Sequence, residues 1–125
     1  MIFDTDVIIW FLRGNAKAAK AIDNCDPRHL STVSYLELLQ GARNKKELKN
    51  IRYLLSDYSF QIIPLNENIG HRAIIYMEQY GLKVDLCLAD ALIAATSVEF
   101  NIQLYSGNRK HYRFIEDLDL KLFKV

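Results

Sequence analysis

Cysteine is scarce in this chain: Cys25 and Cys87 are the only two in 125 residues. They stand far apart with no CxxC spacing, which argues against a disulfide framework or a zinc-thiolate centre. Charge of one sign is lacking too, since 16 Lys and Arg face 15 Asp and Glu for a net of +1. No global basic field marks the chain for nucleic acid or an anionic membrane, so a polyanion would have to be held by a local site. No apolar run approaches the roughly 20 residues of a membrane span. The opening MIFDTD carries an acid at position 4, against the pattern of a signal peptide. There are no internal repeats, linkers or low-complexity tracts. What remains is half hydrophobic and a quarter charged. That composition predicts one compact domain over residues 1–125, cytoplasmic, with a core of its own.

The stretch Leu86–Thr96, LCLADALIAAT, holds one carboxylate, Asp90, among uncharged residues. Ala, Leu and Ile without Gly or Pro predict a helix, and the missing polar stripe predicts a buried one. An ionised carboxylate there is costly unless paired, protonated or metal-bound. Cys87, Leu86, Ile93 and Ala94 occupy the positions one turn away, so any partner comes from elsewhere in the fold. A structural ion pair would satisfy that requirement as well as a functional site would.

At the start, Met1–Phe3 reads as a short buried strand, Asp4-Thr5-Asp6 as a polar turn, and VIIWFL as a helix closed by Gly14. Asp4 then stands at the carboxyl end of a strand, where open α/β sheets bind ligands. Asp6 falls in a helix's first turn, where capping alone would explain it. Asn15–Asn24 predicts a surface helix and His29–Val33 a second strand. Ser34-Tyr35-Leu36-Glu37 matches a capping box, which would account for Glu37 locally while also placing it near Asp4. Asn44–Tyr58 predicts an amphipathic helix, Phe60–Leu65 a third strand, and Asn66–Tyr80 a helix stopped by Gly81. Asp85 is the expected cap of the central helix. Ile102–Tyr105 is a fourth strand, Ser106–His111 a polar loop after it, and Leu118–Val125 a last strand.

The order β-α-α-β-α-α-β-α-α-β-α-β predicts an α/β fold with a central, mainly parallel sheet of about five strands and helices on both faces. Asp4, Glu37, Asp90 and Asn108 converge in that architecture. Carboxylates held together repel unless a cation neutralises them, and all-oxygen ligands select Mg²⁺, or Mn²⁺, over zinc. Such a site suits phosphodiester hydrolysis.

These residues resemble PIN-domain ribonucleases, in particular VapC toxins of type II toxin-antitoxin pairs. The resemblance rests on IFDTDVIIWFLRG, TVSYLELLQGA, LADALIAAT and LYSGNRKHYRFIEDLDL, in that order, and spans nearly the whole chain. It implies a three-layer α/β/α fold and an Mg²⁺-dependent endoribonuclease that leaves a 5′-phosphate and a 3′-hydroxyl on tRNA or ribosomal RNA. It places catalytic roles on Asp4, Glu37, Asp90 and Asn108, with the metal on Asp4, Asp90 and Glu37. Some relatives carry Asp where this chain has Asn108, which makes the fourth ligand neutral. Thr5 and Asp6 would orient metal-bound water, with Asp85 a more remote candidate. The same resemblance implies a VapB-type antitoxin and a homodimer. Arg13, Arg43, Arg109, Lys110 and His111 would meet RNA or antitoxin, and Tyr112 would stack on a base. Two alternatives fit parts of the pattern. One is a haloacid-dehalogenase-like phosphohydrolase, in which Asp4 is the nucleophile of a DxD motif. The other is a non-catalytic RNA- or protein-binding module with structural acids.

Overall fold

A computed structural model describes residues 1–125. Twelve elements follow one another in the expected order. They are β1 (Ile2–Phe3), α1 (Thr5–Leu12), α2 (Ala16–Asp23), β2 (His29–Ser31), α3 (Thr32–Gly41), α4 (Lys45–Asp57) and β3 (Gln61–Ile63), then α5 (Glu67–Val84), α6 (Leu88–Phe100), β4 (Leu104–Ser106), α7 (Arg109–Tyr112) and β5 (Leu120–Leu122). The strands form one parallel sheet in the order β3-β2-β1-β4-β5. Chain order therefore runs outward from β1 on one side and resumes on the other at β4. That reversal opens a crevice between the carboxyl ends of β1 and β4, the place where doubly wound sheets take their ligands.

β1 is the centre of the molecule although it has only two residues. Successive side chains on a strand face opposite ways, and here each opens a separate core. Ile2 packs with Ile69, Ala73, Ile93, Ala94 and Leu104 under α5 and α6. Phe3 packs with Val7, Ile8, Ile22, Leu54 and Phe123 under α1, α2 and α4. Both residues are fully buried, which gives the three-layer α/β/α arrangement.

The helix ends differ from the sequence reading in three places. Ser31, not Ser34, caps α3: its Oγ accepts the Ser34 amide at 3.0 Å. Ser34 is thus already inside the first turn, and Glu37 lies beyond any capping box. Gly81 does not end α5: it sits within the helix, where a Cβ would meet nothing nearer than Met77 at 3.6 Å. The helix runs on to Val84 and ends at Asp85. That residue takes the left-handed conformation (φ 54°, ψ 42°), which Asp tolerates better than most residues. Asp85 is consequently an exposed C-cap of α5 and not the N-cap of α6, whose N-cap is Cys87 without a side-chain bond. Gly14 follows α1 with φ +86°, as a helix-closing glycine should.

The expected polar loop after β4 contains the short helix α7. It is anchored from behind: Arg72 on α5 pairs with Glu99 on α6 and, at 3.0 Å, with Asp117, which also accepts from the Tyr76 hydroxyl at 2.9 Å. Leu104 in β4 is wholly buried. Truncating a buried Leu to Ala removes transfer energy and leaves a cavity. Leu104→Ala is therefore expected to lower stability by about 2–5 kcal/mol, read as a fall in the urea midpoint with the slope retained.

Candidate active site

Asp4 follows β1 directly and caps α1: its Oδ1 accepts the Thr5 amide at 2.8 Å. Its own amide donates to the Tyr105 carbonyl at 2.9 Å, which locks it to β4. The Ser106 hydroxyl at the end of β4 donates to Asp4 Oδ2 at 2.6 Å, while Ser106 Oγ accepts the Asn108 amide at 3.0 Å. Asp4 is only 5% exposed. Burial, and after it the neighbouring charge of Asp6, pushes its carboxyl from 3.8 up to about 7, against the pull of the Ser106 and Thr5 hydrogen bonds.

Asp90 enters from the first turn of α6, where the helix dipole favours a negative charge. The Tyr112 hydroxyl lies 3.3 Å from Oδ1, and Asn108 Nδ2 3.5 Å and His111 Nδ1 2.7 Å from Oδ2. With Asp90 ionised, His111 Nδ1 carries the proton and donates it. Tyr112 is buried within hydrogen-bonding reach of Asp4 as well, and burial beside the two negative charges raises its pKa, so it stays a phenol donor. No Lys or Arg pairs with either acid. The two carboxylates thus share one buried region and a tyrosine, with no permanent cation between them.

Glu37 reaches the same end of the sheet by another route. Thr5 Oγ1 donates to Glu37 Oε1 at 2.6 Å and lies 2.9 Å from Ser34 Oγ. One hydroxyl hydrogen cannot serve both, so the carboxylate takes it and Ser34 donates to Thr5. Thr5 is therefore the strut that fixes Glu37. Asp6 is not a local cap: its Oδ2 crosses to the Gly107 amide at 2.9 Å, and its Oδ1 is buried with no partner. Burial is the main cause of its raised pKa, and the Gly107 amide opposes it. A Cβ at Gly107 would meet Asp6 Oδ2 at 2.9 Å and the Phe123 carbonyl at 3.3 Å, so the loop passes there only as glycine.

No three His, Cys, Asp or Glu side chains stand together at metal-holding distances. Asp4 and Asp90 form the shared pair, and Glu37 stands apart on Thr5. The fit to a hard cation rests on this pair, on the unpartnered Asp6 oxygen and on the all-oxygen donor set. Mg²⁺ commonly takes only one or two carboxylates and fills its remaining positions with water and substrate phosphate.

The remaining expectations divide. His111 faces Asp90 and is not a free surface contact. Tyr112 is buried, so it has no face for a base. Arg109 and Lys110 are exposed beside Asn108 at the start of α7. Arg13 lies over the Trp10 ring, and Arg43 is forked onto Glu47. Both arginines line a groove of about 600 Å³ with Glu37, Leu12, Leu38 and Ile51. Asp85, exposed at the C-terminal end of α5, makes no side-chain hydrogen bond or ion pair with the site. Sequence reasoning missed Ser106 as the hydroxyl on Asp4 and Tyr112 as the phenol joining the two acids. Only the position of Ser106 at a strand's carboxyl end hinted at its role.

The family model of the PIN domain matches residues 1–116. The chain belongs to the PIN domain family. It is 33% identical over 122 residues to ribonuclease VapC10 of Mycobacterium tuberculosis, covering 94% of this chain and 90% of that protein. A ribonuclease VapC from Rickettsia bellii is 28% identical over 127 residues, covering 96% and 93%. Among solved structures, a toxin-antitoxin complex from Klebsiella pneumoniae superposes with a TM-score of 0.83 at 25% identity, over 99% of this chain and 98% of that one. The PIN fold and VapC kinship expected from the sequence are thus shown. The haloacid-dehalogenase-like alternative has no counterpart among these relatives.

The Asp4 shift sets a pH dependence. Unfolded Asp4 ionises near 3.8 and folded Asp4 near 7, so between those values the unfolded chain binds fewer protons and stability falls as pH rises. The full effect, reached above pH 7, is on the order of 4 kcal/mol. In EDTA, Asp4→Asn should melt several degrees above wild type at pH 8, with the difference shrinking towards pH 4, as followed by scanning calorimetry.

Proposed function

We propose that this protein is an Mg²⁺-dependent endoribonuclease toxin of the VapC kind. The observation that carries this reading is the pair Asp4 and Asp90, buried together at the sheet's switch point without a neutralising Lys or Arg. A divalent cation would supply the positive charge that pair lacks, and a phosphodiester would then bind to the cation. Asp4 and Asp90 would hold Mg²⁺, with Mn²⁺ as the alternative. Held by these two residues, such an ion would supply water activation and charge stabilisation at the phosphoryl oxygens.

The chain's own residues prepare that arrangement. Ser106 and the Thr5 amide fix the Asp4 carboxylate, so its oxygens keep one orientation before any ligand arrives. Tyr112, Asn108 and His111 do the same for Asp90. Orienting partners of this kind set both affinity and geometry. Glu37 is held by Thr5 beside a groove. Its carboxylate is the group available to accept a proton from an attacking water. The products would be a 5′-phosphate and a 3′-hydroxyl, with tRNA or ribosomal RNA in the cytoplasm as substrate.

The groove with Arg13 and Arg43 on its rim and Leu12, Leu38 and Ile51 inside suits an amphipathic segment bearing carboxylates. It is the proposed seat of a VapB-type antitoxin, whose acids would pair with Arg13 and compete with Glu47 for Arg43. Exposed Ile74, Ile75, Met77, Leu82 and Leu88 on α5 and the start of α6 form the apolar face proposed for a homodimer.

With purified protein, RNA and Mg²⁺, end-mapped cleavage should appear and stop in EDTA. Asp4→Asn and Asp90→Asn should each lose more than the ~100-fold that removing an orienting partner costs, with His111→Ala falling within ~10–100-fold. Mg²⁺ should raise the wild-type melting temperature and leave Asp90→Asn unmoved. Cleavage that persists in both Asn variants would overturn the reading.

A further inference from the structure

A second charged feature lies away from the carboxylates. Lys17 and Lys20 stand one turn apart on α2, and Lys121 and Lys124 lie on and just beyond β5. All four are exposed. With Tyr105, Gln103 and the Met1 residue they line a groove of about 590 Å³. Asp26 is the single carboxylate in that lining. None of the four lysines pairs with a side-chain carboxylate. Lys17 Nζ lies 3.4 Å from the main-chain oxygen of Val125, and Lys121 Nζ lies over the Tyr105 ring, 5.5 Å from its centre. Four cations against one acid, on a chain whose total is +1, leave the rest of the surface slightly acidic. The groove gathers four of the 16 basic residues around one acid.

The location follows from the sheet. Tyr105 pairs with Lys121 across β4 and β5. Phe123, two residues on, is buried in the α1–α2–α4 core, so by strand alternation Lys121 projects to that same side. Tyr105 is also the residue whose carbonyl holds the Asp4 amide. From Met1 to Asp4 is three steps of extended chain, roughly 10 Å.

We infer that this groove is a binding site for the phosphodiester backbone of single-stranded RNA, flanking the bond presented to Asp4 and Asp90. The inference rests on the ribonuclease reading above. Its volume exceeds that of a single phosphate. Lysines bind backbone phosphates as point charges, and the same lining carries Tyr105 and the amide of Gln103, groups that suit the bases of a single strand. Gln103 Nε2 already donates to Asp119 Oδ1 at 3.0 Å, which leaves its Oε1 to accept from a base. The site contributes affinity and register, and takes no part in bond breaking.

The test is a salt titration of binding in EDTA, using a fluorescein-labelled single-stranded RNA oligonucleotide and anisotropy. Each phosphate contact contributes about 0.7 to the slope of log K against log salt. Replacing Lys17, Lys20, Lys121 and Lys124 together by Ala should therefore reduce the slope by about 3. The fourfold Lys→Arg variant should keep it. Removing Lys45, Lys46, Lys49 and Arg52 on the exposed face of α4 should leave it unchanged. In turnover with Mg²⁺, the groove variant should raise KM and leave kcat in place. An unchanged slope in the groove variant overturns the inference. So does an equal loss in the α4 variant, a loss in the Arg variant, or displacement of the RNA by poly-glutamate at lower charge concentration. Binding and cleavage fail separately. A chain that shows the slope loss but cuts no RNA keeps the groove and sinks the nuclease, and one that cuts RNA with an unchanged slope does the reverse.

Discussion

The carboxylate of Asp4 is kept out of water by the strand it follows, the serine hydroxyl facing it and the tyrosine shared with Asp90. Burial of this kind works against the charged form, yet no Lys or Arg pairs with it to offset the cost. The fold tolerates the cost because two separate cores, one on each face of β1, fix the ends of β1 and β4 side by side. Stability is supplied by the apolar layers and spent locally at one edge. That division is common at functional sites, where polar groups are arranged for a ligand and not for the empty protein.

Much of this was legible in the chain. The alternation of short apolar runs with helical segments yields the twelve elements in order, because parallel sheets need buried strands separated by helices. Asp4 at a strand's end and Asp90 in an uncharged helix stood out because charge is conspicuous in apolar sequence. The cost of burial could not be apportioned between them from sequence. Asp90 receives a phenol, an amide and an imidazole from the segment 108–112, while burial and the charge of Asp6 push the Asp4 carboxyl up. Those donors come from a loop whose path only the tertiary structure defines.

Local rules failed where a stronger neighbour was available. Ser34 looks like a cap, but Ser31 precedes it by three residues and ends a strand, so the helix begins a turn earlier and Ser34 is free to face Thr5. Asp6 looks like a first-turn acid, but the amide of Gly107 lies across the crevice and claims it. Gly81 looks like a stop, but a helix loses only ~1 kcal/mol to one glycine, and α5 has packing against α6 to offset that. His111, ordinary in sequence, becomes a partner of Asp90 through a single turn of α7.

The narrow passage at Gly107 has one more effect. Its amide grips Asp6 on α1, a side chain there would press on the carbonyl of Phe123, and Phe123 in turn donates its amide to Ser106, the residue that holds Asp4. The first helix, the loop after the fourth strand and the tail of the chain therefore close a ring around the acidic edge. Fraying of the last strand would be felt at the first acid, so the two ends of the polypeptide behave there as a single clasp.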